Sequence, residues 1–170
     1  MQEEKLDILK SDNNKKIILG IDVGLCNTGY AFAQLDLLTD NICILQTGII
    51  KTQKKELRLK KIYQSWCDIF EHQKPSIAFV EIGFVNINSK TSLKLMSGQS
   101  ITLLCLELIN CPIMEIASTR IKKQILGRGH ASKQDSIEYV KEKFGLLVKD
   151  HISDAILALL AGIKLYRQLI

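Results

Sequence analysis

The sequence predicts an α/β domain: a mixed five-stranded sheet, a three-strand antiparallel meander plus two parallel strands, flanked by helices. Three stretches carry that expectation. Ile17-Ile18-Leu19-Gly20-Ile21-Asp22-Val23 is apolar at nearly every position, as in a strand buried on both faces, where a half-buried strand would alternate. Residues 28–35 and 42–50 read as two further strands joined by the polar turn 36–41, with Thr39-Asp40-Asn41 at its centre. Residues 54–71 and then 76–81 supply a helix followed by a second short buried strand, the unit that sets two strands parallel.

Both buried strands carry an acid at their ends, Asp22 and Glu81, and the two emerge on the same side of the sheet if their strands are neighbours. An ionised Asp22 in apolar surroundings needs a cation or a set of hydrogen-bond donors; a strand-end Asp bonded to the amides of the next turn satisfies the same need. The intervening helix repeats Leu59, Ile62, Tyr63, Trp66, Ile69 and Phe70 at three- and four-residue spacing, with lysines on its outer face, and Pro75 ends the connection after it. Residues 82–90 are too polar and irregular for core and read as a substrate loop. Residues 91–109 form a helix that Gly98 and Ser100 weaken. Its second half, 101–109, is apolar nearly all round, which places it between two layers, within the domain or against a second copy.

Residues 112–116 follow as a short edge strand, 118–126 as a short helix ending at Gly127, and 132–144 as another helix. The run 156–170, opened by Asp150-His151-Ile152-Ser153-Asp154-Ala155, is a helix packed on the sheet. His151 and Asp154, three apart, share its first turn. Asp150 can face the same way, but its simplest role is the N-cap. Two strand-end carboxylates and a His/Asp face make a hard-ligand cluster suited to a divalent metal that keeps water attached.

Composition narrows the function classes. The 170 residues fit a single domain over 16–170, preceded by a flexible polar tail, 1–15, with no signal-peptide core; a cytoplasmic, unsecreted protein is expected. The longest apolar run is too short to span a bilayer. Cys26, Cys43, Cys67, Cys105 and Cys111 show no Cys-x-x-Cys spacing and read as small buried hydrophobes rather than a zinc or disulfide framework. The net charge of +5 is concentrated in two runs: Lys51, Lys54, Lys55, Arg58, Lys60 and Lys61, then Lys122, Lys123, Arg128, His130 and Lys133. Either run alone suits a solvated helix face. Two runs flanking candidate acids favour nucleic acid, and the few aromatics favour duplex phosphates over stacked single strands.

The motifs taken together resemble the RuvC family of Holliday junction resolvases. The opening Ile17-Ile18-Leu19-Gly20-Ile21-Asp22-x-Gly24-x-x-x-Thr28-Gly29-Tyr30 is similar to that family's first strand and turn. Thr47-Gly48-x-Ile50-x-Thr52, Leu59-Lys60-x-Ile62-Tyr63, Glu81-x-x-Phe84, Leu93-Lys94-Leu95, Gly127-x-Gly129 and Asp154-Ala155 follow in the family's order. The resemblance covers the chain from Lys16 onward. It implies a ribonuclease-H-like fold, a homodimer bound to four-way junction DNA, branch-migration proteins as further partners, and two Mg²⁺-dependent cuts, with two ions per site and Mn²⁺ able to substitute. By position it implies a metal tetrad of Asp22, Glu81, His151 and Asp154. Lys122 and Lys133 would lie near the scissile phosphate, Phe84 would wedge into the junction, and Lys123 and Arg128 would add to the DNA-binding surface. The family usually has Pro where this chain has Val23, and often Asp, though also His, where it has His151, an imidazole that tilts metal preference toward Mn²⁺ and leaves Asp150 open as a ligand in its place or beside it.

Two other readings start from the same residues. The turn Asp22-Val23-Gly24 through Thr28-Gly29 resembles the first phosphate loop of actin-like sugar kinases, but that architecture needs a second such domain. A module of the same fold that binds junctions without cutting would lack one of the acids, and all are present.

Overall fold

The computed structural model describes residues 14–53, 57–82 and 90–168, and the side chains of all of these but 90–95. The expected substrate loop with Phe84, together with Lys54, Lys55 and most of the expected tail, lies outside the described residues.

The elements run β1 (Lys15–Asp22), β2 (Asn27–Asp36), β3 (Ile42–Lys51), α1 (Arg58–His72), β4 (Ile77–Ile82), α2 (Lys90–Leu108), β5 (Ile113–Ala117), α3 (Ser118–Leu126), α4 (Lys133–Phe144) and α5 (Asp150–Arg167). They form a five-stranded sheet in the order β3-β2-β1-β4-β5. The meander β1-β2-β3 is antiparallel, and β4 and β5 continue the sheet in parallel. The expected mixed sheet is thus observed. Its central strand β1 is buried on both faces at Leu19, Gly20 and Ile21, as an apolar run without alternation requires.

Each face of the sheet has its own core. One joins Ile18, Ala31, Ala33, Ile77 and Phe79 to α3, α4 and α5. The other joins Leu19, Ile21, Phe32, Ala78 and Val80 to α1 and α2. Because side chains alternate along a strand, Asp22 follows Ile18 and Gly20 toward α5, and Glu81 follows Ile77 and Phe79 to the same face.

The helix enclosed between layers is α5, not α2. Every residue from Ser153 to Ile163 is buried, between the sheet and the α3 and α4 helices. In the second half of α2 one side is covered: Thr102, Cys105 and Leu106 are buried, while Leu104 and Leu108 are 44% and 62% exposed. Thr102, which interrupts the apolar run in sequence, accepts a hydrogen bond from Trp66 Nε1 (3.1 Å) and donates to the Gly98 carbonyl (3.1 Å). A buried hydroxyl satisfied twice joins α1 to α2 without an unpaired polar group. Leu59 and Tyr63, expected on the buried stripe of α1, stay partly exposed, and Ile62, Trp66 and Phe70 carry the packing. The cysteines divide: Cys105 and Cys111 are buried as expected, but Cys26 and Cys43 are exposed and Cys67 is half-buried. The two exposed thiols lie in the β1–β2 turn and on the edge strand β3.

Two glycines let α5 approach the sheet closely. A Cβ on Gly20 would lie 2.1 Å from the Ala155 carbonyl oxygen, and one on Gly29 would lie 2.0 Å from that of His151. Both obstacles are helix backbone, so a methyl group at either position would push the first turns of α5 off the sheet. That contact brings the start of α5 onto the ends of β1 and β2.

Candidate active site

β1 and β4 pair in parallel with Asp22 directly opposite Glu81, so the two carboxylates are neighbours on the α5 face of the sheet. The turn after Asp22 is closed by Thr28, whose buried hydroxyl donates to the Gly24 carbonyl (2.6 Å), and Thr52 donates to the Leu25 carbonyl (2.5 Å). Asp22 is not spent on those turn amides. Its Oδ2 accepts a hydrogen bond from His151 Nδ1 at 2.7 Å, which leaves the Nε2 lone pair of His151 available. Asp154, one helical turn on, is buried, and its Oδ1 has no hydrogen-bond partner among the described residues.

Asp22 contributes to the shift of each of its neighbours. Burial first, and then the Asp22 charge, push Glu81 up to about 7 against a hydrogen bond from Ser118 and the nearby Lys122. The same two effects raise Asp154 above the usual carboxylate range, opposed by a Ser136 hydrogen bond, Lys122 and Lys133. The hydrogen bond to Asp22 raises His151 above the usual imidazole range, with burial acting the other way. Three acids held together under partial burial carry more negative charge than their lysines offset, an arrangement that favours a cation.

Lys122, in α3, donates to the Ala131 carbonyl (2.9 Å). Lys133, the first residue of α4, pairs with Asp150 at 2.6 Å. Asp150 is therefore not the N-cap of α5; that position is Lys149, which offers no side-chain cap, and Asp150 turns to the lysine instead. Arg128 pairs with Asp135 (2.9 Å), and Lys123 is exposed on α3. The structure thus gathers Asp22, Glu81, His151, Asp154, Lys122 and Lys133 around one end of the sheet; it shows no contact between that cluster and Lys123 or Arg128 among the described residues.

Sequence reasoning missed Ser118, Ser136 and the Lys133–Asp150 pair. Ser136 left a signal, since it stands four before Val140 on the buried side of α4, where a hydroxyl needs a partner. The others are tertiary contacts with no local pattern.

The donor set fits a divalent cation: carboxylate oxygens, an imidazole nitrogen and a buried, unpartnered Asp154 oxygen. Among the described residues no three of the His, Cys, Asp and Glu side chains form a preformed cage. The Asp22–His151 hydrogen bond occupies donor atoms of two of them.

The family model for crossover junction endodeoxyribonuclease RuvC matches residues 18–162. A crossover junction endodeoxyribonuclease RuvC of Neorickettsia sennetsu is 36% identical over 133 residues, 76% of this chain and 80% of the relative. That of Hydrogenovibrio crunogenus is 32% identical over 142 residues, 82% of this chain and 81% of the relative. In fold, the chain is similar to T. thermophilus RuvC in complex with a Holliday junction substrate, with a TM-score of 0.78 and 21% identity over 90% of this chain and 96% of that one. The Fowlpox virus resolvase bound to its Holliday junction gives a TM-score of 0.60 at 16% identity, covering 87% and 99%. With the family model matched over residues 18–162 and relatives 32–36% identical over about three quarters or more of its length, this chain belongs to the RuvC family of crossover junction endodeoxyribonucleases.

Proposed function

We propose that this chain is a structure-selective endonuclease that resolves four-way (Holliday) DNA junctions by paired, metal-dependent phosphodiester hydrolysis, in DNA recombination and repair. The observation that carries this reading is the in-register pairing of Asp22 with Glu81 under the first turn of α5, in a chain of this family. Asp22, Glu81, His151 and Asp154 would hold two Mg²⁺ ions, with Mn²⁺ able to substitute, and Asp22 would be the shared ligand. Bound there, the ions would supply positive charge to the attacking and departing oxygens and a lowered pKa for water.

The chain's own groups account for the rest. Lys133, exposed at the rim, can meet a non-bridging phosphate oxygen; Lys122, anchored on Ala131, holds positive charge beside Glu81 and Asp154. Lys123 and Arg128 extend the phosphate-binding border, and Phe84 is the proposed wedge at the junction. A labelled four-way junction incubated with Mg²⁺ or Mn²⁺ is expected to be cut at paired sites, with no cutting in chelator. Tight binding without cutting under every metal would instead favour the non-cleaving module. The kinase alternative is not favoured by the family match and would need ATP binding in titration.

The proposed active form is a homodimer packed through α2, acting in the cytoplasm with branch-migration proteins as further partners. Exposed Met96, Leu104 and Leu108 on α2, beside Tyr63 of α1, support this, because a monomer would leave them to water. Analytical ultracentrifugation at micromolar concentration is expected to show a dimer that Leu104→Glu/Leu108→Glu converts to a monomer; a wild-type monomer would rule it out. No helix among the described residues is long and apolar enough to cross a membrane.

His151 gives a pH prediction. As a ligand the imidazole must be neutral, and the Asp22 hydrogen bond raises its pKa above 6.5, so protons compete with metal further into the neutral range. His151→Asp is therefore expected to move the acid limb of the cleavage profile to lower pH and to raise activity in Mg²⁺ relative to Mn²⁺. Unchanged pH and metal profiles in His151→Asp and His151→Ala would remove His151 from the ligand set.

A further inference from the structure

Lys133 and Asp150 are the first residues of α4 and α5, and the Lys133 charge runs against the ordinary logic of helix starts. A cation in the first turn opposes the helix dipole, and α4 already has its cap in the Ser132–Asp135 capping box. Lys133 therefore gains nothing for its own helix. Asp150, well placed for the dipole of α5, directs its carboxylate to Lys133 Nζ at 2.6 Å across 17 residues of chain. The lysine side chain is 65% exposed, and so open a pair adds little to folding. Fold stability is a weak reason for it.

The surroundings supply a stronger one. The Lys133 charge also faces Asp154 and Asp22, and a lysine is a point charge on a flexible stem. Left without Asp150, the ammonium can fall onto those two acids and occupy the oxygens a cation needs, or disperse into solvent. We propose that Asp150 is a positioning residue: its carboxylate holds the Lys133 ammonium at the rim of the acidic cluster, clear of Asp22 and Asp154 and ready for a phosphate oxygen. Asp150 also accepts a hydrogen bond from the His151 backbone N–H and faces the His151 charge, but the hydrogen bond from Lys133 is the largest influence on its carboxylate. His151 is bonded to Asp22, and Arg128 to Asp135.

The proposal rests on the resolvase reading, and the experiment separates the two. Single-turnover cutting of a labelled four-way junction in Mg²⁺ is measured for the full chain and for Asp150→Ala, Asp150→Glu, Lys133→Met and the double variant Asp150→Ala/Lys133→Met, with junction affinity measured in Ca²⁺. Asp150→Ala is expected to slow cutting about 10- to 100-fold, the scale of a misplaced reacting group, with junction affinity unchanged within about twofold. Asp150→Glu is expected to restore most of the rate, and the double variant to be no slower than Lys133→Met alone. If Asp150→Ala slows the Lys133→Met enzyme by the factor by which it slows the wild type, Asp150 acts on its own, as a metal ligand would, and the proposal is overturned. An Asp150→Ala enzyme of wild-type rate also overturns it. A wild type that cuts no junction removes the resolvase reading itself.

Discussion

Asp22→Asn is expected to abolish junction cutting, by about 10³-fold or more, while junction binding and folding survive. Asn keeps the shape of the side chain but not the charge that two cations would share, whereas affinity for the junction comes mainly from lysines and arginine neutralising phosphates. The geometry sharpens this expectation. The Asp22 charge is the second largest cause raising both Glu81 and Asp154, so its removal relieves repulsion in the cluster rather than creating it. The hydrogen bond from His151 Nδ1 can still be accepted by the Asn carbonyl. The variant is therefore expected to melt no lower than wild type in chelator, to bind a junction in Ca²⁺ with similar affinity, and to leave it uncut in Mg²⁺. Lost binding in a gel shift by a normally folded variant would show that Asp22 serves the fold or the DNA contact rather than the chemistry.

How much of this was legible depends on whether the controlling interaction is local. The unbroken apolar run of β1, the polar turn at Asp36–Asn41 and the helix-to-strand change before β4 each fix an element through neighbours in sequence, and each is observed. The Asp22–Glu81 pairing was readable because a crossover constrains two strands to run parallel. Apolar content alone did not reveal which helix is enclosed. The second half of α2 is as apolar as α5, but α5 has Ala155, Ala158, Ala161 and Gly162, small enough to seat a helix against Gly20 and the Phe79 ring with a second layer behind it. Asp150 shows the same limit. Locally it looks like a cap; a lysine 17 residues earlier, brought close by the fold, decides otherwise.

The strained member of the cluster is Glu81, and Glu81→Gln is expected to stabilise the metal-free protein at alkaline pH while abolishing cutting. In an unfolded chain this carboxyl ionises near 4.5; in the folded protein burial and Asp22 hold it protonated up to about 7. Between those values the folded state binds the proton that the unfolded state has released, so stability falls as pH rises through that window and stays reduced above it. The shift from 4.5 to about 7 corresponds to about 3 kcal/mol, or roughly 6–12 °C in melting temperature for a chain of this size. Glutamine carries no charge at any pH and can still accept the Ser118 hydrogen bond. In chelator at pH 8 the variant is therefore expected to melt above wild type, and the gap to close as pH falls toward 4.5. A divalent cation reverses the order of benefit, since it stabilises a folded state only where it finds its ligands: Mg²⁺ or Mn²⁺ should raise the melting temperature of wild type more than that of Glu81→Gln. Equal melting curves in chelator across pH 4.5–8 would mean that the cluster already compensates the Glu81 charge. In that case the acids would need no cation, and the metal-dependent reading of the site would lose its electrostatic support.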